Sequence, residues 1–231
     1  MYWILFIGIA LASWLVQANL KNKFEKYSKI PIDGGLTGRD IAVKMLHDNG
    51  IYDVEVVSTS GSLTDHYNPA NKTVNLSEDV YDTCSVAAAA VAAHECGHAV
   101  QHARGYAPLT LRSQLVPVVQ FASTAATWVI ILGLVILAST QNELLCWIGV
   151  GMIAMSALFS LVTLPVELDA SRRAGEMLLA AGVIAEDELP AAKKVLSAAA
   201  LTYLASLLTS FVYFLRFLLY VLSVFGRRER R

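Results

Sequence analysis

Two histidines four positions apart, with a glutamate beside the first, form the run His94-Glu95-Cys96-Gly97-His98. On a helix, residues i and i+4 share a face one turn apart, so both imidazoles can grip a single ion. Glu95 is angled toward the same cleft without binding the ion. A carboxylate placed there takes a proton from a metal-activated water and later passes it to a leaving amine. Zinc suits this chemistry because it lowers the pKa of its water to about 7. A structural metal site needs no base beside its ligand, so Glu95 points to hydrolysis. A lone histidine in an apolar helix is commonly just a core residue; a complete His-Glu-x-x-His on a well-capped helix is a different pattern.

A tetrahedral catalytic zinc takes three protein ligands. His102 lies one further turn along the same stripe, but a straight helix does not wrap three consecutive turns around one ion. His102 is therefore expected in the cleft or behind the ligands. Glu167 is the better third ligand, because an apolar helical hairpin precedes it and returns it to the face where the first helix ends. Asp169 is the alternative. Gly97 lies between the two histidines, where glycine costs a helix about 1 kcal/mol relative to alanine. The missing side chain is expected to let another segment approach closely. Cys84, Cys96 and Cys146 are odd in number and widely spaced, which argues against a disulfide framework and for packing roles.

The elements that must position these groups can be read from hydrophobic pattern and turn chemistry. An apolar run from Tyr2 to Leu20 has its lysines after it rather than before it, as in an uncleaved membrane anchor and not a signal peptide. Thr37 can cap a helix to Asn49, with Asp40 in its first turn. Tyr52–Val57, Ser62–Tyr67 and Lys72–Leu76 read as short strands, with residues 68–71 as a turn. Asp82 or Thr83 is expected to cap the motif helix, which runs to Arg104 with Gly105 as its stop. Val118–Ala138 and Leu144–Leu164 each reach the roughly 20 residues that span a bilayer, and Pro165 is expected to end the second. Ala198–Phe225 is a further apolar segment.

This gives five regions: an anchor (1–20), a polar α+β region with the motif helix (21–116), a membrane hairpin (117–165), a helical segment with Glu167 (166–197), and a C-terminal membrane helix with a basic tail (198–231). The fold class is a mainly α membrane protein. It has about four membrane helices and a small α+β zincin-like catalytic region whose short sheet offers an edge strand. Of the 231 residues 55% are hydrophobic and only 16% charged, against about 25% charged in soluble domains, which fits membrane burial. A net charge of −1 and the lack of a basic strip give no reason to expect a nucleic-acid partner, and none is expected. Lys21, Lys23, Lys26, Lys29, Arg104, Arg112, Arg172, Arg173, Lys193 and Lys194 fall on the side of the polar region, which places it in the cytoplasm. The tail residues Arg227, Arg228, Arg230 and Arg231 oppose that orientation if the last segment crosses fully.

The runs His94–His102 and Pro165-Val166-Glu167-Leu168-Asp169-Ala170-Ser171-Arg172-Arg173-Ala174 resemble the YugP-type neutral zinc metallopeptidases of bacterial membranes. Asp65-His66-Tyr67-Asn68-Pro69 is similar to a further signature of that group, with Asn68 where an Asp is expected. The likeness covers nearly the whole chain. More distantly, the chain is similar to HtpX-type and CAAX-prenyl membrane proteases, which take a third ligand from a Glu-x-x-Ala-Asp setting. Glu167 and Ala170 fit that setting; Ser171 replaces its Asp. The resemblance implies Zn2+ as cofactor, Glu95 as general base, and His94, His98 and Glu167 as ligands. It also implies a protein or peptide substrate held in extended form by an edge strand, for which Thr73, Val74 and Asn75 are the candidates. His66, Tyr67, His102, Arg172 and Tyr203 are candidates for the cleft or for oxyanion stabilisation. The competing class is a non-proteolytic membrane scaffold or chaperone with a structural or vestigial metal site. Beyond substrate and lipid bilayer, a membrane-protein partner is open, though no motif supports one.

Overall fold

The computed structural model describes residues 2–225; the basic tail from Arg227 lies outside them. Ten elements succeed one another: α1 (Tyr2–Ser28), α2 (Gly38–Asp48), β1 (Glu55–Thr59), β2 (His66–Asn68), β3 (Thr73–Ser77), α3 (Glu78–Tyr81), α4 (Val86–Ala103), α5 (Ala107–Thr140), α6 (Leu144–Ala180) and α7 (Leu189–Phe225). Four of them, α1, α5, α6 and α7, are long and apolar enough to cross a membrane. With the small sheet, this is the mainly α membrane architecture that composition and spacing predict.

The chain divides into two compact units. The first, residues 1–109 and 165–202, holds the sheet and the motif helix. Its core joins Phe24 and Tyr27 of α1, Ile41, Met45 and Leu46 of α2, Val74 and Leu76 of β3, the alanines of α4, and Leu178 and Val195. Helix α2 begins as its sequence dictates. Thr37 accepts a hydrogen bond from the Asp40 N–H while the Asp40 carboxylate accepts from the Thr37 N–H, a reciprocal cap.

The sheet order is β1-β3-β2, with β1 parallel and β2 antiparallel to β3. This corrects the expected substrate strand: Thr73, Val74 and Asn75 lie in the central strand, paired on both sides, and the free edge near α4 belongs to β2. Strand limits also differ from expectation, for a backbone reason. Leu63 and Lys72 adopt positive φ, at 57° and 54°, so extended pairing cannot begin until after each of them. Helix α4 is capped by Ser85, whose hydroxyl accepts from the Ala88 N–H at 3.1 Å, and not by Asp82 or Thr83. Asp82 instead closes the short helix α3.

The second unit, residues 110–164 and 203–231, contains the α5–α6 hairpin, turned through Gln141, Asn142 and Glu143. Gly133 of α5 lies against the backbone of Leu145 and Cys146, where a Cβ would stand 3.1 Å from the Cys146 nitrogen. Cys146, Val150 and Val221 form its small core. Large apolar side chains such as Phe121 and Trp128 are more than 70% exposed, as a lipid-facing surface requires. Pro165 does not end its helix: α6 continues to Ala180, just as α5 passes through Pro117. One missing N–H removes a single backbone bond, and in an apolar setting unpairing the next turn as well would cost more.

Candidate metal centre

Helix α4 is buried along nearly its whole length, because its alanines let neighbouring elements close on it. Gly97 carries this furthest. A Cβ there would lie 2.7 Å from the carbonyl oxygen of Ala170 and 3.2 Å from its Cα, so the α4 and α6 backbones touch. The contact is three residues beyond Glu167 and one before His98, and it brings those side chains together. Cys96 points the other way, its thiol donating toward the Ala42 carbonyl, and burial pushes the thiol pKa up.

His94, His98 and Glu167 each offer one ligand atom within 4.8 Å of the others, and all three are buried or nearly so. The Oε2 atom of Glu167 stands 3.2 Å from Nε2 of His94 and 3.5 Å from Nε2 of His98. Donors on a tetrahedral zinc with bonds of about 2.1 Å stand about 3.4 Å apart, so both spacings fit that ion. The charge balance fits as well. Glu95 and Glu167 are only 7% and 1% exposed. Burial works against a charged His98, yet hydrogen bonding to Glu167 and the charges of both glutamates raise its pKa on balance. Two carboxylates removed from water call for positive charge, which a divalent cation supplies.

An outer partner fixes the tautomer of His98. Gln101 donates its amide N–H groups to the Val166 carbonyl at 2.8 Å and the Asp169 carboxylate at 2.9 Å. Its oxygen therefore faces Nδ1 of His98 at 3.0 Å, which must carry the proton and leaves Nε2 free as a donor to metal. Nδ1 of His94 meets the Ser171 hydroxyl at 3.2 Å. Ser171, the departure from the Glu-x-x-Ala-Asp setting, thus stands in the position of an outer partner to His94. Asp169 has both oxygens engaged, Oδ1 by Arg172 and Oδ2 by Arg173 and Gln101. It acts on His98 through Gln101, a link that sequence spacing did not suggest. The only available hint was Gln101 lying three residues after His98, within reach of it on one helix face.

The edge strand reaches the same place. The Tyr67 N–H donates to Glu95 Oε2 at 2.8 Å, so the open side of β2 faces the motif helix. The Tyr67 hydroxyl lies 2.7 Å from Nδ1 of His102. Asp65 holds the turn before β2 by accepting from the Ser77 N–H and hydroxyl; burial raises its pKa, those bonds lower it, and the charge of Glu95 raises it again. His66 and Arg172 are bound to other partners. His66 is exposed and bonds the Thr64 carbonyl; Arg172 is tied to Asp169 and Glu176 on its own helix. Tyr203 belongs to the second unit.

A buried His-His-Glu donor set, with a second glutamate beside it in a chain of membrane-length helices, defines a membrane protein of the zinc metallopeptidase class. Comparison with known proteins gives the family. The family described as "Putative neutral zinc metallopeptidase" matches residues 2–222, and the chain belongs to it. The chain is also similar to the "Putative membrane protease YugP" of Bacillus subtilis (strain 168), at 45% identity over 231 residues, covering 97% of this chain and 99% of that protein. No solved structure matches.

Proposed function

We propose that this chain is a zinc-dependent membrane endopeptidase in which His94, His98 and Glu167 hold the ion and Glu95 is the general base. The observation that carries the reading is the convergence of both Nε2 atoms on one oxygen of Glu167, with Glu95 one residue from the first histidine. Zinc bound there supplies a Lewis acid that polarises the scissile carbonyl and makes water acidic enough to give up a proton near neutral pH. Glu95 accepts that proton and returns it to the leaving amine. The Tyr67 N–H holds the Glu95 carboxylate in orientation, while Gln101 and Ser171 hold the imidazoles with their Nε2 atoms turned inward. The peptide lies extended along the free edge of β2, beside the Tyr67 N–H that Glu95 already engages, rather than along β3. A scaffold role leaves this buried base without a task.

Purified full-length chain is expected to cleave casein or a quenched fluorescent peptide, to lose that cleavage under a chelator, and to regain it with added zinc. Cleavage that is indifferent to exhaustive chelation refutes the reading. The catalytic region faces the cytoplasm, as the basic residues flanking the apolar runs indicate. A cysteine placed at Asn71 is therefore expected to react with a membrane-impermeant thiol reagent only in broken cells; labelling in intact cells inverts the orientation.

A further inference from the structure

One cavity shares no lining residue with the metal centre. It measures about 260 Å³ and is lined by Asn19 and Lys23 of α1 and by Lys193, Lys194, Ser197, Ala198 and Leu201 of α7. Three lysines thus line one small concavity, and none of its lining residues is acidic. Lys23 is half-buried, and Lys193 and Lys194 are exposed. Among the described residues none of the three enters an ion pair, whereas Lys29, Lys44 and Lys72 each have a carboxylate partner. Like charges gathered in this way repel unless an anion lies between them.

The cavity's height along both helices says which anion. On α1 it lies where the apolar run Tyr2–Leu20 gives way to lysines; on α7 it lies where the polar start gives way to the apolar run from Ala198. Two helices therefore change from water-compatible to lipid-compatible at one cavity. One and two turns before Asn19, Leu15 and Leu11 are about half exposed, and Leu201 is 45% exposed. Apolar surface thus runs from the basic cavity toward the hydrocarbon. Basic pockets between membrane helices bind anionic head groups.

We propose that this cavity binds the phosphate of an anionic phospholipid, with Lys23, Lys193 and Lys194 around the head group and the acyl chains along the apolar faces beside it. The site is independent of the proteolytic assignment, since it shares no residue with the metal centre.

The test uses the full chain in nanodiscs of mixed phosphatidylglycerol and phosphatidylcholine, transferred to detergent, with retained lipid counted by native mass spectrometry. Each lysine near a head group of net negative charge contributes on the order of fivefold, a gain that the choline ammonium of phosphatidylcholine cancels, so phosphatidylglycerol is expected to be retained on the order of 100-fold over phosphatidylcholine. The variant Lys23→Gln/Lys193→Gln/Lys194→Gln is expected to lose most of that preference. Lys23→Arg/Lys193→Arg/Lys194→Arg, checked for folding by circular dichroism, keeps it. Lys21→Gln/Lys26→Gln/Lys29→Gln removes equal charge from the same end of α1 and also keeps it. An equal loss in this last variant shows diffuse attraction to the membrane and overturns the site. Failure of the folded arginine variant to retain lipid overturns it as well. Displacement of the lipid by millimolar inorganic phosphate assigns the cavity to a free anion and overturns the lipid.

Discussion

The Glu95→Gln variant retains zinc and loses peptide hydrolysis by about 10²–10⁴-fold, the range that a positioned general base supplies. The amide is nearly isosteric with the carboxylate and leaves His94, His98 and Glu167 untouched, but it cannot take a proton. It can still accept a hydrogen bond from the Tyr67 N–H through its oxygen, so the local fold is kept. Zinc content and cleavage rate measured on the same preparation separate the two roles. Zinc retained with cleavage near the wild-type rate rules Glu95 out as the base. Zinc lost together with activity shows that Glu95 holds the ion and that the ligand set is different.

The Glu167→Ala variant loses zinc at concentrations that saturate the wild type. The substitution removes the oxygen that lies within 3.5 Å of both imidazole nitrogens, and two histidines alone leave the tetrahedral set incomplete. Asp169→Ala is the paired control. Asp169 reaches His98 only through Gln101, so its loss is expected to weaken zinc by the roughly 10–100-fold typical of an outer partner. Equilibrium dialysis and then metal analysis rank the two. Full occupancy in Glu167→Ala moves the third ligand to Asp169 or His102.

The parts of this arrangement that are local in sequence were legible in it. The spacing of His94 and His98, the cap at Thr37 and the four apolar runs each depend on residues within a few turns of one another. Glu167 was within reach of the same reasoning because a hairpin with a short loop has one geometry: its second helix ends on the side where its first began. Strand order was not legible. The chain from β1 to β3 passes through β2, and nothing local in Lys72–Leu76 says that two strands will flank it. The β-branched residues that mark a strand mark a central one and an edge one alike. The same limit hid Gln101. Its role depends on the Val166 carbonyl and the Asp169 carboxylate, which are more than sixty positions away and arrive only when α6 packs on α4. The Ser85 cap was missed for a different reason, because Asp82, Thr83 and Ser85 are all good capping types and only the short helix α3 chooses among them.

The contact of Gly97 with Ala170 ties metal affinity to the mechanics of the fold. The histidines ride on one helix and Glu167 on the other, and the spacing between them is set where main chain meets main chain, with no side chain to yield. Docking α6 on α4 and forming the ion's cage are then a single equilibrium, read in either direction. An ion that binds only the docked state stabilises it by about 2.7 kcal/mol when free zinc is a hundredfold above its dissociation constant. The same linkage means that whatever loosens this seam, whether heat, detergent or a bulkier residue at position 97, releases the ion before the helices themselves unwind.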